Sequence, residues 1–103
     1  MKIDLHLAEE FGPGLADGAL ALEFRTNRMD PYADICEEMV LDFTGVRVAN
    51  SSFINALVAG AIEQHGPELL DRLVFKGCNP VLRVLVESAI SLGLEKIGAR
   101  TPA

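Results

Sequence analysis

The stretch from Met39 to Ile62 constrains the fold of this chain more than any other. It begins with a short apolar run, residues 39–43, closed by Thr44-Gly45, which is typical of a strand buried on both faces of a parallel sheet. Side chains that can cap a helix follow at residues 50–52. Apolar residues then recur at the spacing of one helix face: Ile54, Leu57, Val58, Ala61 and Ile62. The pattern predicts a strand, a polar turn and a helix, with two serines at the positive end of the helix.

The residues before this stretch predict an edge strand and one ambiguous element. Residues 1–8 alternate apolar and polar side chains, as a strand with one face in water does, and this places His6 toward solvent. Asp17 is able to cap a helix over residues 17–29. In the same segment, alternate residues are also apolar, as in a strand: Leu20, Leu22 and Phe24. The many good helix formers favour the helix, and the strand stays open as the alternative.

Two more elements are predicted after the central stretch. Gly66-Pro67 ends the first helix, since glycine just past the last periodic residue is a common helix end. Residues 72–76 predict another strand, and Asn79-Pro80 opens a last helix with a capping side chain and a proline in the first turn. Its predicted buried stripe is Val81, Leu82, Leu85, Ala89 and Leu92. Gly93 is the predicted end of this helix, and residues 97–103 are a predicted loose tail.

Strands and helices alternate from residue 39 onward, which predicts an α/β fold. Strands joined through a helix pair in parallel, so residues 39–43 and 72–76 should be parallel neighbours, with the helices that start near Ser51 and Pro80 packed on the sheet. The 103 residues are enough for a single domain, in which residues 39–94 form the strand-helix-strand-helix core.

The central motif resembles that of STAS domains, the sulphate transporter and anti-sigma factor antagonist family. The resemblance lies in Leu-Asp-Phe-Thr-Gly-Val at residues 41–46 and in Asn-Ser-Ser-Phe at residues 50–53. Two positions depart from the antagonists, because Asn50 stands where they usually have Asp and Phe53 where they usually have Gly. Both departures are similar to an uncharacterised STAS-like branch in which Ser-Ser-Phe is common. The resemblance implies a small mixed, largely parallel sheet with helices packed on it and the N-terminal strand at one edge.

The resemblance also implies a function. It indicates a non-catalytic bacterial signalling protein that binds a protein partner, such as an anti-sigma factor, a related kinase or another regulator. By the family pattern Ser52 would be phosphorylated, with Ser51 as the weaker candidate. A phosphate at a helix N-terminus meets free N–H groups and the positive end of the helix dipole, and it adds nearly two negative charges. The alternative is that the two serines and Asn50 serve only to cap the helix.

The predicted central helix has a second face made of small residues beside one aromatic: Phe53, Ala56, Ala59 and Gly60. Small residues permit close approach of another protein, and an exposed aromatic is a common anchor. The sequence therefore predicts a partner-binding surface made of Asn50, Ser51, Ser52, Phe53, Ala56 and Gly60. The alternative is that another element of the same domain covers this face.

Few residues are arranged as an enzyme requires. Ser51 and Ser52 lack the Gly-x-Ser-x-Gly elbow, and nothing in the sequence pairs them with either histidine. Asp42 lies near the C-terminal end of an apolar strand, where open α/β sheets place their sites. A structural role is favoured for Asp42, in which it accepts hydrogen bonds from the polar turn. The alternative function is an enzyme or small-ligand-binding protein with a pocket at the end of strand 40–43, using Asp42, Asn50 and Ser52 as polar groups.

Composition and charge exclude other classes. Nine basic and fifteen acidic residues give a net charge of −6, which argues against a nucleic-acid-binding surface. Asn55 and Glu63 interrupt the most apolar segment before it reaches membrane-spanning length, and the N-terminus does not resemble a signal peptide. We therefore expect a cytoplasmic protein. Cys36 and Cys78 lack metal-ligand spacing, so buried thiols, no metal, no cofactor and no disulfide are predicted. Self-association stays open.

Overall fold

Three parallel strands form the main sheet of the computed structural model, which describes residues 1–100. They are β1 (Lys2–His6), β3 (Glu38–Asp42) and β5 (Leu73–Lys76), in the order β1-β3-β5. The apolar run of the sequence is the central strand β3, and its residues from Met39 to Asp42 are all buried. Met39 is paired with Leu73 in a parallel register, which confirms the predicted neighbours.

The predicted mixed sheet is wrong in one respect, since the described residues form only parallel ladders. β1 also pairs with β3 in parallel, with His6 opposite Asp42. Helices α1 (Leu7–Phe11) and α2 (Gly18–Phe24) lie between β1 and β3 in the chain. They return the chain to the end of the sheet at which β1 began, and this crossover makes the pair parallel.

The ambiguous segment between residues 17 and 29 is helical. The Asp17 carboxylate accepts a hydrogen bond from the backbone N–H of Ala19 (2.9 Å), so it caps α2 as predicted. A π-helical segment, Arg25–Met29, continues α2. The buried residues of α2 are Ala21 and Phe24, which are three positions apart as on one helix face. The alternation of leucines is therefore not that of a strand, because it comes from exposed positions of the helix.

The polar turn leads into three helical segments that follow one another directly: α3 (Ser51–Ile54), a π-helical segment (Asn55–Ala59) and α4 (Gly60–His65). Together they are called the central helix here. It ends at Gly66, which has a φ of 87°, a backbone conformation that favours glycine. The apolar stripe predicted for this helix is buried throughout. A short second ladder, β2 (Gly14–Leu15) beside β4 (Val48–Ala49), leads into the same turn.

The last helix, α5 (Pro80–Arg100), is longer than predicted. Gly93 does not end it, because Gly93 is buried where α5 crosses the central helix. A Cβ atom at Gly93 would lie 3.0 Å from the carbonyl oxygen of Ala59, so glycine permits this close crossing. The predicted tail from residue 97 is helical as far as Arg100, and residues 101–103 lie outside the described part.

The buried stripe of α5 also differs from the prediction. Leu82 and Ala89 are buried as expected, whereas Val81 is exposed. The buried core lies between the sheet and the helices, so the predicted α/β fold with helices packed on a small sheet is confirmed. No helix within residues 1–100 combines the length and the apolar character needed to span a membrane.

Candidate functional site

The polar turn before the central helix is held by Asn50. Its side-chain oxygen accepts a hydrogen bond from the backbone N–H of Phe53 (2.9 Å), and its side-chain nitrogen donates to the carbonyl of Ala16 (2.6 Å). Its backbone N–H donates to Leu15 (2.9 Å). Asn50 is therefore the cap of the central helix, and it also joins the turn to the segment between β2 and α2.

Replacing Asn50 by alanine is expected to lower the free energy of unfolding by about 0.5–2 kcal/mol, because the helix loses its cap and Ala16 loses a donor. Ser52→Ala, two positions on, is the matched control, and it should change stability by less than about 0.5 kcal/mol. Denaturant unfolding of both variants measures the difference. A larger loss of stability in Ser52→Ala than in Asn50→Ala would mean that Ser52, and not Asn50, caps the helix.

Ser51 and Ser52 are exposed and occupy the first two positions of the central helix. Because Asn50 makes the capping bond, neither hydroxyl is needed for that purpose. The backbone of Ser52 lies close to the start of α2, since a Cβ atom at Gly18 would be 3.4 Å from the Ser52 carbonyl oxygen. The backbone of the turn therefore packs against the start of α2, whereas Ser51 and Ser52 are exposed.

Phe53 contradicts the predicted surface, because its side chain is only 1% exposed. Its ring packs edge-on against Phe11, with ring centroids 5.1 Å apart, and Phe11 packs in turn against Phe24 at 5.3 Å. Phe53 therefore joins α1 and α2 to the central helix. It is a core residue, and the prediction that it anchors a partner is wrong for this structure.

The small face of the central helix is also covered, as the alternative interpretation expected. The Arg25 guanidinium donates a hydrogen bond to the carbonyl oxygen of Ala56 (3.0 Å), and a Cβ atom at Gly60 would overlap the same guanidinium. Gly60 therefore gives room to Arg25, and Ala56 supplies a backbone acceptor within a π-helical segment. Both residues are half-buried, and Arg25 covers part of the face that the sequence predicted to be open.

A cluster of titratable side chains that the sequence did not predict lies beside Arg25. The carboxylate of Asp30 lies 2.8 Å from His65 and 3.5 Å from the Nε of Arg25. Asp34 lies 3.7 Å from the other ring nitrogen of His65 and 3.9 Å from Arg72. His65 therefore contacts two carboxylates at the C-terminal end of the central helix, whereas Ser51 and Ser52 lie at its N-terminal end. The cluster connects residues 25–34 with His65 and Arg72, more than thirty positions away, so residue spacing gives no signal for it.

Asp42 has a structural role, but not with the predicted partner. Its carboxylate accepts a hydrogen bond from the backbone N–H of Thr44 (2.9 Å), two residues on, instead of bonding to the turn at residues 50–52. The other carboxylate oxygen lies 3.3 Å from the ring of His6 at the end of β1. Hydrogen bonds from the side chain and then the backbone of Thr44 hold the pKa of Asp42 below its ordinary value, with smaller contributions from His6 and Lys76. Asp42 therefore stabilises the strand end.

The lowered pKa of Asp42 predicts a pH dependence of stability. A carboxyl group with a lower pKa in the folded state contributes stability above its unfolded pKa of about 3.9 and loses it as the pH falls through the folded value. The stability difference between wild type and Asp42→Asn should thus be largest near neutral pH and shrink below about pH 4. Urea unfolding from pH 7 to pH 3 tests this, with Asp4→Asn as the exposed control. A difference that grows toward acid would contradict it.

An exposed apolar surface lies beside Ser51 and Ser52, and it differs from the predicted surface around Phe53. Val48, Val81 and Val84 are 65%, 65% and 61% exposed, values that are high for valine. The Asn79 side chain donates to the carbonyl of Arg47 (3.2 Å), which brings β4 against the start of α5. Val84 and Ser51 line the same cavity. We call this set the serine surface: Val48, Ser51, Ser52, Val81 and Val84.

The described residues contain no cluster of three or more His, Cys, Asp or Glu side chains that is placed to hold a metal ion. Cys36 is buried and Cys78 is partly buried, and both are free thiols. The polar groups of the alternative pocket do not converge either, since Asp42 bonds to Thr44 and Asn50 bonds to Ala16 and Phe53.

Comparison with known families gives one match. The model of a STAS-like domain of unknown function (DUF4325) matches residues 21–82, which is more than half of the chain. The matched part contains β3, the polar turn, the central helix, β5 and the start of α5. No curated protein and no solved structure matches the chain.

Proposed function

The chain belongs to the family of STAS-like domains, and from this membership we propose that it is a non-catalytic regulatory domain that binds a protein partner through the serine surface. The observation that carries the proposal is the exposure of three valines around the helix start that bears Ser51 and Ser52. Exposed apolar groups grouped beside polar ones are typical of protein interfaces. The partner is a cytoplasmic regulator, of the kind that anti-sigma factor antagonists bind.

The position of the surface supports the proposal in a second way. The serine surface lies at the C-terminal end of the parallel strands, because β4, the polar turn and the start of α5 all follow strand ends. Open α/β sheets place their functional groups at this end. Asn50 and Phe53 support the surface from beneath, since they hold the turn and pack the first turn of the helix on the core.

Phosphorylation of Ser52, with Ser51 as the weaker candidate, is the proposed control of this binding. Both hydroxyls are exposed, and the cap is supplied by Asn50, so a phosphate would not remove the bond that starts the helix. A phosphate there adds nearly two negative charges beside the exposed valines. Intact-protein mass spectrometry of material from its own cells, with binding measured for Ser52→Asp and Ser52→Ala, tests the control. An unmodified protein whose two variants bind like wild type would refute it.

The binding proposal is tested with a double variant, Val81→Glu/Val84→Glu. Both side chains are more than 60% exposed, so the variant should fold with little change in stability. The partner is first captured from native cells and purified, and its affinity is then measured by calorimetry. We expect the double variant to bind at least about tenfold more weakly, because the apolar contacts at the centre of the surface are lost and two carboxylates must be desolvated there, a cost that outweighs attraction to nearby basic side chains.

The matched control for that experiment is Ile35→Glu. Ile35 is 66% exposed and precedes β3, so it lies at the opposite end of the sheet from Val81. This variant should bind like wild type. Equal affinities for wild type and the double valine variant, or an equal loss in Ile35→Glu, would contradict the proposed surface.

A further inference from the structure

A groove runs from the serine surface along α5, between that helix and the central helix. It has a volume of about 530 Å³, and Ser51 and Asn55 of the central helix form one of its walls. The other wall comes from α5 and includes Val84, Ser88 and Ser91. Residues 84, 88, 91 and 95 lie on one face of a helix and span about 16 Å along its axis. The α5 wall of the groove is therefore one row of side chains, with small residues in the middle.

The charge of the groove has one sign. Glu87 and Glu95 line it, and no lysine or arginine does. Within residues 1–98, neither of these two carboxylates forms an ion pair, although other acids of the chain do so with nearby bases. The net charge of the whole chain is −6, so its field adds to that of the groove. A basic occupant is thus favoured both by the local and by the overall charge.

We propose that this groove binds a basic amphipathic helix of the protein partner, so the inference rests on the proposed function and specifies the chemistry of its ligand. The small and apolar residues Val84, Ser88 and Ser91 receive the contact face of that helix. Glu87 and Glu95, eight positions apart, are separated by about 12 Å along α5. They match lysine or arginine side chains seven or eight positions apart on the bound helix.

Three physical features favour a helix over an extended strand. The groove walls are side chains of two helices and offer no unpaired strand edge, which an extended peptide would require. Its length equals about three helical turns. The serines at its centre let a second helix approach closely, as packed helices lie 8–10 Å apart at distances set by the contacting side chains.

The test uses two synthetic helical peptides of fifteen residues. Both have an alanine and leucine contact face, and they differ only at two flanking positions seven apart, which are lysine in one and glutamate in the other. Each is titrated into the ¹⁵N-labelled full chain and followed by NMR. We expect the lysine peptide to bind and to shift the amide signals of Ser88 and Ser91, with affinity falling as salt rises. The glutamate peptide should bind at least about fivefold more weakly.

Variants of the protein complete the test. Glu87→Gln/Glu95→Gln should weaken the lysine peptide at least about fivefold, while the exposed control Glu9→Gln/Glu68→Gln should not. Ser88→Leu, which fills the groove without changing charge, should also weaken it. The inference is overturned if the lysine peptide does not bind, if it shifts amide signals of the protein outside the groove only, or if Glu87→Gln/Glu95→Gln binds it like wild type. The proposed function then still stands if the captured partner loses affinity for Val81→Glu/Val84→Glu.

Discussion

Phe53→Ala is expected to lower the free energy of unfolding by about 3–5 kcal/mol, the usual cost of removing a buried aromatic ring. The ring is 1% exposed and lies edge-on against Phe11, which itself contacts Phe24. Its removal leaves a cavity where α1, α2 and the central helix meet, and these elements are too constrained to close it fully. A 103-residue domain has only about 5–15 kcal/mol of stability in total, so the variant should be partly unfolded at 37 °C.

Ile35→Ala is the control for this experiment, since Ile35 is also apolar but 66% exposed and lies outside the serine surface. It should alter stability by less than about 0.5 kcal/mol. Thermal and urea unfolding, with partner binding measured on the folded fraction, separate the two possible roles of Phe53. If Phe53→Ala had wild-type stability but bound the partner more weakly, Phe53 would be an exposed partner-binding residue, and the packing described above would be refuted.

Gly77→Ala is expected to cost about 2–4 kcal/mol, for two reasons that add. Gly77 has a φ of 72°, where a residue with a Cβ atom is strained by about 1–2 kcal/mol. The added Cβ would also lie 2.6 Å from the backbone nitrogen of Thr44 and 2.9 Å from its Cα. Because these are backbone atoms, the loop after β3 must move, and the hydrogen bond from Thr44 to Asp42 is disturbed.

Gly12→Ala separates the two contributions. Gly12 has a similar φ of 81°, but a Cβ atom there would have nothing within 4 Å. Its ψ of −166° lies in a backbone region that is essentially limited to glycine, so Gly12→Ala should show a conformational cost of about 1–3 kcal/mol and no contact cost. Urea unfolding of both variants gives the comparison. A loss in Gly77→Ala of only about 1–2 kcal/mol, the conformational cost alone, would mean that the contact between Gly77 and Thr44 does not affect stability.

The order of elements in the central motif could be predicted because local signals agree there. The apolar run of β3, the capping side chain of Asn50 and the glycine at residue 66 each follow from short-range physics, and all three lie where the sequence placed them. The hydrogen bond from the Thr44 N–H to Asp42 also has a local sequence signal, since Asp side chains often accept from the backbone N–H two residues on.

The candidate site was less predictable because its residues are defined by contacts between distant segments. The sequence alone predicts that Phe53 is exposed, because its contact with Phe11 depends on where the short helix α1 lies. Gly60 similarly appears in the sequence as part of an open face of small residues, and only the fold places Arg25 across it. Gly93 illustrates the same limit, because a glycine near the end of a helix suits a helix end and a close crossing equally well, and only the position of the central helix decides.

The exposed valines of α5 were missed for a related reason. Hydrophobicity predicts burial on average, so the sequence predicts that Val81 lies in the buried stripe beside Leu82. The structure buries Leu82 and leaves Val81 in water, because only one side of α5 faces the core. Val81 fits the helical spacing of Leu85, Ala89 and Leu92, so the sequence gives no signal of its exposure, whereas Val84 lies outside the predicted stripe.

Site-specific photocrosslinking in native cells tests the central claim most directly. A photoreactive phenylalanine analogue is placed at Val81 in one strain and at Ile35 in another, two positions with 65% and 66% exposure at opposite ends of the sheet. The proposed partner-binding surface predicts a discrete adduct with one other protein from position 81 and none from position 35. No adduct at position 81, or the same adducts from both positions, would contradict it.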